Sequence, residues 1–539
     1  MELPLESAER EMLERASDFT KTEVAPKAQI WEDERRQPIE VIRAAALAGL
    51  AGVEVPEHFG GTGHRFRVKA RIAEEIARHC FAFSFSLINH MGLAGKIARD
   101  APEKIAKRYL PEMLTGEAIG CTALTEPLAG SDFAAIATRA EKVAGGWRLT
   151  GEKAWITNAA HADLMFLYAQ TDPAAGWRGV AGFLVDAREE GVSRVPPFQI
   201  MGGHAIGAGG FRFTDHFIPD ERMMSPPGEG FKAAMGGVNA ARSYVATMCC
   251  GMTEAAVHTA ARYASERAAF GGHIADFQGL QWRLADAQTD VEASRLLAYR
   301  AVLAVESGQN AEIPAAYAKK FATSMADTHL ARCMQIMGAA GLRRDYNIGR
   351  QIACARIANY VDGTTEIQNE RIARHLFKQL SQQGIPMSQT HAFERSHDIL
   401  IAAPASAVLD YVSNPNSWPE WLASSHEIDS PDRPMRTGDT FIEKWATRTG
   451  PAQLDWVVRE CDPPRLWIGE THASFLGPII VRYDVTEEDA GTVRFKRTMI
   501  NPARPRPATA EQIDRMDTEA AEGLANIKRN VEARVAKMS

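Results

Sequence analysis

The sequence contains little cysteine and no long apolar run, and each shortage excludes a class of protein. Its 539 residues include seven cysteines, an odd number scattered without the paired spacing of a zinc site. Thiols that form no disulfide framework are typical of a reducing compartment. No segment is long and apolar enough to cross a bilayer, and the acidic start MELPLE lacks the apolar core of a secretory signal. These features predict a cytoplasmic protein without a membrane span.

Charge of one sign is not in excess either. The chain has 61 basic and 68 acidic residues, a net charge of −7 at pH 7. A nucleic-acid-binding surface would need clustered Lys and Arg, so no nucleic-acid partner is expected. No metal site is expected either, since the cysteines lack paired spacing. A hydrophobic content of 45% and the length predict three or four globular domains.

Hydrophobic periodicity divides the chain into segments. Residues 1–118 have helical spacing, residues 119–228 alternate like the strands of a small β-barrel or sandwich, and residues 229–384 return to helix. The stripe that supports a bundle helix recurs every three or four residues, at Leu280, Leu284, Ala287, Val291, Ser294 and Ala298. The fold class expected is multidomain α+β.

Composition changes after residue 384. A polar stretch with Gly384 and Pro386 predicts a linker over 385–392. Five of the ten tryptophans follow within 50 residues, among strand-like runs that begin at 393 and precede a closing amphipathic helix from about 508 to 537. Residues 393–539 are therefore expected to form a separate α+β domain.

Three strings in the first 380 residues carry the chemistry. They are Cys121-Thr-Ala-Leu-Thr-Glu-Pro-Leu-Ala-Gly-Ser131, Trp155-Ile-Thr-Asn158 and Asp362-Gly-Thr-Thr-Glu-Ile-Gln368. In this order and spacing they resemble the flavin site of acyl-CoA dehydrogenases, over roughly residues 5–380. The resemblance implies a helical domain, a central β-barrel and a four-helix bundle. It also implies FAD, an acyl thioester substrate on CoA or an acyl carrier protein, and an external electron acceptor such as an electron-transfer flavoprotein.

The resemblance implies a set of FAD-contacting residues. In that family the position of Thr125 bonds the flavin, that of Trp155 packs on its ring and that of Thr157 reaches N5, whereas Ile156 should face the core. Arg267 resembles the contact to the pyrophosphate of a neighbouring subunit's FAD, which implies a homodimer or homotetramer. The full set is Thr122, Leu124, Thr125, Gly130, Ser131, Trp155, Ile156, Thr157, Arg267, Phe270, Gln278, Gln335, Gly338, Thr364 and Glu366. Ala339 and Leu342 depart from the family string around the adenine.

The catalytic base is where the third string departs from the family. Most members have Glu-Gly-Thr, and this chain has Asp362-Gly363-Thr364. The alternative family position for the base, immediately before Arg242, holds Ala241. The resemblance therefore makes Asp362 the base, and a buried carboxylate with a raised pKa suits that role. The competing interpretation of Asp362 is a cap for the helix that follows. Substrate contacts are implied for Ser131, Asn239, Arg242 and Gly363.

The C-terminal segment resembles the START-like helix-grip (SRPBCC) fold of polyketide cyclases and hydrophobic-ligand carriers. Ile401–Val408 and Trp418-Pro-Glu-Trp421 match its opening strand, helix and Trp turn. Four residues are candidates for acid–base groups in its cavity: His397, His426, Glu443 and Glu470.

Three functions remain open from the sequence. The first is FAD-dependent dehydrogenation of an acyl thioester with a fused ligand-binding or cyclase-like domain. The second is a flavin oxidase on the same fold, since a nitroalkane-oxidase-like branch has Asp at the base position. The third is a weakly catalytic oligomeric platform for the C-terminal binder.

Overall fold

The chain separates into two compact units, Met1–Leu376 and Phe377–Ser539. The structure, a computed structural model, describes residues 3–382, 391–422, 426–447, 450–473, 477–489, 491–504 and 507–538. Most of the linker expected at 385–392 lies outside the described residues. Among the described residues, no helix combines the length and the hydropathy that a bilayer crossing requires.

The first unit opens with helices, as the periodicity predicts. Helices α4 and α5 are buried along most of their length because apolar and small residues occupy nearly every face. They form one core with the later helices of the same unit. The six helices are α1 (Ser7–Phe19), α2 (Ala28–Asp33), α3 (Ile39–Leu47), α4 (Phe66–Ala77), α5 (Phe81–Asp100) and α6 (Glu103–Leu114).

An eight-stranded sheet follows. Its strands run in the order β6-β7-β3-β2-β4-β5-β8, and β1 pairs parallel to β4. Strands β4 and β5 are buried at every residue, and these are the most continuous apolar runs of the segment. The strands are β1 (Gly120–Ala123), β2 (Arg139–Val143), β3 (Gly146–Ile156), β4 (Leu164–Gln170), β5 (Val180–Asp186), β6 (Val192–Val195), β7 (Gly209–Pro219) and β8 (Met223–Ser225).

A helical bundle completes the first unit, and its last helix, α11, runs past the unit boundary after Leu376. In α8 the predicted stripe is confirmed, with Ala287, Val291, Ser294 and Ala298 buried and Leu280 and Leu284 packed against the core. The elements are α7 (Gly230–Glu266), the short hairpin β9 (Ala268–Ala269) and β10 (Gly272–His273), α8 (Gln278–Glu306), α9 (Glu312–Met337), α10 (Ile348–Tyr360) and α11 (Thr365–Gln382).

The second unit is an antiparallel sheet with a long closing helix. Seven strands run in the order β11-β17-β16-β15-β14-β13-β12. Helix α13 places Leu524, Ile527 and Val531 in the same core as the strands and also buries Ala520. This is the helix-grip arrangement expected from the sequence, with strand β12 added. The elements are β11 (His391–Ile401), α12 (Ala405–Val412), β12 (His426–Asp429), β13 (Thr440–Thr447), β14 (Gly450–Asp462), β15 (Leu466–Ala473), β16 (Gly477–Asp489), β17 (Thr492–Arg504) and α13 (Ala510–Met538).

Candidate active site

The turn between α10 and α11 holds Asp362 in an uncommon backbone conformation. Asp362 has φ 55° and Gly363 has φ 94°, both in the left-handed region. Few non-glycine residues adopt such angles, and those that do cluster at functional sites. The positive φ favours glycine at 363, and a Cβ there would also make tight 3.1 Å contacts with Arg242 Nη2 and Gln368 Nε2.

Three side chains hold this turn by its carbonyl oxygens. Arg242 Nε donates to the Asp362 carbonyl at 2.8 Å, while Lys319 Nζ and Gln368 Nε2 donate to the Gly363 carbonyl at 2.5 and 3.0 Å. All three are buried. A strained turn persists only where its surroundings fix it, and these donors provide that restraint. The backbone N–H of Asp362 takes no part in these bonds.

The carboxyl of Asp362 is poised to accept a proton. Its Oδ2 atom is buried and has no hydrogen-bond partner among the described residues. Burial raises the pKa of Asp362 to about 6, and the cations of Lys319 and Arg242 limit the rise. Burial in turn lowers the pKa of Lys319 to about 8. Because α11 starts at Thr365, three residues later, Asp362 is not placed as the cap of that helix.

The loop after β1 is fixed by a buried ion pair. Lys153 Nζ lies 2.8 Å from Glu126 Oε1 and also donates to the Leu124 carbonyl at 2.9 Å. Glu126 accepts bonds from the N–H groups of Ala137 and Thr138, so both ends of the 124–138 loop are tied to one carboxylate. The Ala154 N–H donates to the Thr125 carbonyl at 3.0 Å, which aligns Thr125 with the end of β3. Gly130 and Ser131 are exposed farther along this loop.

The end of β3 turns one large aromatic side chain outward. Trp155 has φ 59° and is 61% exposed, and its ring centre lies 4.3 Å from that of Phe198. Its neighbour Ile156 is 2% exposed and belongs to the core of the sheet, as the strand alternation predicts. An exposed tryptophan held in a strained conformation indicates a stacking surface for a planar ligand.

Asn158 locks the turn that follows Trp155. Its φ is 67°, its side chain is fully buried, and its Oδ1 accepts bonds from Gln37 at 2.7 Å and Ser86 at 2.5 Å. Its Nδ2 donates to the Gly120 carbonyl at 2.9 Å. The turn that presents Trp155 and the half-buried Thr157 is thereby joined to α5 and to the start of β1.

The remaining predicted residues of the first unit fall into two groups. Thr122, Leu124 and Thr364 are half-buried near the loops already described, and Glu366 is exposed in the first turn of α11. Asn239 accepts a bond from Arg242 at 2.9 Å, so both lie beside the Asp362 turn. The other group is exposed on the helical bundle: Arg267, Phe270, Gln278, Gln335 and Gly338.

The exposed group includes a strongly apolar side chain and borders a depression. Phe270 is 96% exposed and contacts Phe277, which is itself 44% exposed. Gln335 lines a surface cavity of about 420 Å³ together with Arg283 and Arg332. Exposed aromatic side chains are typical of an interaction surface, and the depression, which Asp286 also lines, is a second candidate contact region of the bundle.

In the second unit, the four acid–base candidates have different environments. Glu443 is 1% exposed and accepts a bond from Trp456 Nε1 at 2.9 Å. His397 pairs with Asp517 of α13 at 2.9 Å. Glu470 forms a surface ion pair with Arg459 and does not enter the core. The side chain of His426 lies outside the description.

Sequence reasoning missed several supporting residues. Glu126 lies within the quoted string, but Lys153 and Lys319 carry no local signal, since a lone lysine is most often solvated. The sequence hints at a buried role for a lysine only where the strand or helix pattern requires burial at its position.

Comparisons with known proteins identify the family of each part of the chain. Three family models match, described as the acyl-CoA dehydrogenase N-terminal domain (6–117), middle domain (121–216) and C-terminal domain (228–377). A fourth, described as polyketide cyclase / dehydrase and lipid transport, matches residues 391–532.

Similar proteins cover the first unit. The short/branched chain specific acyl-CoA dehydrogenase of Rattus norvegicus is 32% identical over 68% of this chain and 85% of its own length. The butyryl-CoA dehydrogenase structure from Megasphaera elsdenii covers 70% of this chain and all of its own, at 28% identity and a TM-score of 0.67. A structure described as an FAD complex of PigA gives 27% identity, the same coverages and a TM-score of 0.66. The chain therefore belongs to the acyl-CoA dehydrogenase family of FAD-dependent oxidoreductases and carries a polyketide cyclase-type domain behind it.

Proposed function

We propose that the protein oxidises the Cα–Cβ bond of an acyl thioester, carried on CoA or on an acyl carrier protein, with Asp362 as the base. The observation that carries this proposal is the buried, unpartnered Oδ2 of Asp362 on a turn held by three donors. A carboxylate whose pKa is raised toward neutrality is a stronger proton acceptor than an exposed one, yet remains ionised at pH 7.

The chain's residues fit FAD. The loop that holds Thr122, Leu124, Thr125, Gly130 and Ser131 offers backbone amides and hydroxyls, half-buried at its start and exposed at Gly130 and Ser131. A Cβ on Gly130 would meet nothing within 4 Å. The exposed ring of Trp155 offers a stacking surface, with the Thr157 hydroxyl beside it on the same turn. When bound, FAD supplies the acceptor for the hydride that leaves the β-carbon.

The proton step belongs to Asp362. Its Oδ2 takes the α-proton, and the developing enolate oxygen requires hydrogen-bond donors. The backbone N–H of Asp362 is available for this because Arg242 and Lys319 hold the turn through carbonyl oxygens instead. Aspartate reaches about 1.5 Å less than glutamate. Either the backbone of Asp362 therefore lies closer to the substrate than that of a glutamate would, or the α-carbon of this substrate is more acidic.

Carrier and subunit contacts follow from the exposed groups. Ser131 and Asn239 are suited to the thioester carrier, and Gly363, next to the proposed base, is suited to a position beside the reacting carbons. The exposed Arg267, Phe270, Gln278, Gln335 and Gly338 are suited to the adenosine diphosphate part of a neighbouring subunit's FAD, in a homodimer or homotetramer. An external acceptor such as an electron-transfer flavoprotein would reoxidise the flavin.

One observation favours a second candidate. Aspartate at the base position also suits a flavin oxidase, which passes electrons to oxygen. The second unit, in either case, is proposed to bind an apolar ligand among its clustered tryptophans, five of which fall between residues 418 and 467.

The experiment is anaerobic mixing of the purified yellow protein with a panel of acyl-CoA and acyl-carrier thioesters, followed by flavin absorbance. Bleaching by one of them, with slow return in air and fast return with an electron-transfer flavoprotein, supports the dehydrogenase. Fast oxygen consumption without an added acceptor would identify the oxidase. A colourless protein that takes up no FAD would refute both.

A further inference from the structure

The inner face of the second unit's sheet carries a row of polar side chains across four neighbouring strands. The register places His397 opposite Arg497, Arg497 opposite Tyr483, and Tyr483 opposite Trp467. Residues directly opposite on adjacent antiparallel strands share a face, with Cβ atoms about 5 Å apart. We call these four residues the inner row.

The inner row lies in an aromatic environment. Trp467 and Tyr483 are 0% and 1% exposed, and their rings stack with centres 5.1 Å apart. Trp421, also buried, covers the row: its ring centre lies 6.4 Å from that of Tyr483 and 5.8 Å from the Arg497 guanidinium carbon. A guanidinium at that distance is attracted to the face of the indole, which orients it within the row.

Two donors in this row have no acceptor. Arg497 Nε and Trp467 Nε1 are buried without a hydrogen-bond partner in the part of the chain that the structure describes. Leaving buried donors unpaired is costly, so most native ones are paired with protein or with a bound molecule. Both flank Tyr483, whose hydroxyl also bonds the Arg497 side chain and stays protonated because burial raises its pKa to about 12.

Arg497 has no direct counter-ion among the described residues, although the buried carboxyl of Glu443 lies close enough to help raise the pKa of Tyr483. The nearby carboxylate of Asp517 on α13 is engaged by His397 at 2.9 Å and by Arg395. No carboxylate of the described residues lies within ion-pair distance of Arg497, whereas Arg494 on the outer face of the same strand has two. A partly buried guanidinium without a counter-ion selects for an anionic oxygen, and its fork of donors fits a carboxylate.

We propose that the second unit binds the carboxylate of an organic acid with an aromatic or extended apolar body, and that Arg497 and Tyr483 hold the carboxylate. Trp467 Nε1 supplies a further donor, and the rings of Trp421 and Trp467 pack against the body of the acid. This proposal rests on the ligand-binding role proposed above and names the class of ligand.

The test is isothermal titration of the full-length FAD-loaded protein with 2-naphthoate and with its uncharged analogue 2-naphthylmethanol. Arg497→Gln is expected to weaken naphthoate binding by about tenfold or more, since it removes a charge-assisted pair, and to leave naphthylmethanol binding unchanged. Tyr483→Phe, which keeps the ring, should weaken naphthoate by a few-fold. Arg494→Gln is the matched control and should change neither ligand.

The outcomes separate the two proposals. The carboxylate site alone would be overturned if Arg497→Gln and the wild type bind naphthoate with equal affinity. It would also be overturned if the wild type binds naphthylmethanol as tightly as naphthoate. Failure of both probes to bind the folded protein would overturn the ligand-binding role together with it. Flavin reduction by an acyl thioester should be unchanged in every variant, because the inner row belongs to the second unit. If Arg497→Gln lowers the melting temperature markedly, the test rests on Tyr483→Phe: weaker naphthoate binding in that variant supports the carboxylate site, and unchanged binding overturns it.

Discussion

Replacing Asp362 by asparagine should lower activity and raise stability at the same time. The pKa of Asp362 lies about two units above its ordinary value because Oδ2 is buried. Two units correspond to about 3 kcal/mol. The folded pKa exceeds the unfolded one, so the stability contributed by this group is present below pH about 4 and is lost as pH rises through about 6. Asparagine keeps the shape without the ionisation, so the variant should be more stable by about 2–3 kcal/mol at pH 8 and nearly equal to wild type at pH 3.5.

Activity should move in the opposite direction. Without a proton acceptor, flavin reduction by the thioester should fall by about 10²-fold or more in stopped flow, while flavin content stays the same. In the wild type the reduction rate should rise with pH through about 6, the pKa of Asp362. Asp362→Glu is the control that restores the family residue and should be partly active. An asparagine variant that reduces flavin at the wild-type rate would place the base elsewhere. One that gains no stability at pH 8 relative to pH 3.5 would show that the carboxyl is not desolvated.

Three further predictions concern Lys319, Lys153 and the boundary between the two units. Lys319→Met removes a cation that lowers the pKa of Asp362, and it also removes a hydrogen bond to the Gly363 carbonyl. The pH profile of flavin reduction should therefore shift upward by about one unit. The control Lys319→Arg keeps the charge and should retain most of the wild-type profile. Lys153→Met leaves Glu126 buried without its cation, so the free energy of unfolding in urea should fall by about 3–5 kcal/mol and flavin should be lost. The double variant Lys153→Met with Glu126→Gln should recover part of that stability. A fragment from about residue 388 should melt cooperatively on its own, and the 1–384 fragment should keep flavin and assemble.

Each of these has a result that would refute it. An unshifted pH profile in Lys319→Met would mean that the lysine does not act on the base. Equal stabilities for wild type and Lys153→Met would mean that the pair does not hold the loop. If the 1–384 fragment aggregates and loses FAD, the two units fold as one cooperative body.

The family, the order of the segments and the short strings that carry the chemistry can all be predicted from the sequence alone. Local patterns sufficed for these because a strand or bundle helix repeats its apolar residues every two or every three to four positions. Local signals were enough to predict the stripe on α8, the core position of Ile156 and the cluster of five tryptophans in the second unit.

The distant side chains that support the site become apparent only in the folded chain. Asn158 bonds Gln37 across 121 positions of sequence, and Lys319 reaches the Gly363 carbonyl across 44. The inner row of His397, Arg497, Tyr483 and Trp467 exists only because strand register aligns residues up to 100 positions apart. A lysine or arginine has no local property that distinguishes a buried partner of a backbone carbonyl from a solvated side chain. Packing and register create that difference, through burial and the loss of water as an alternative partner.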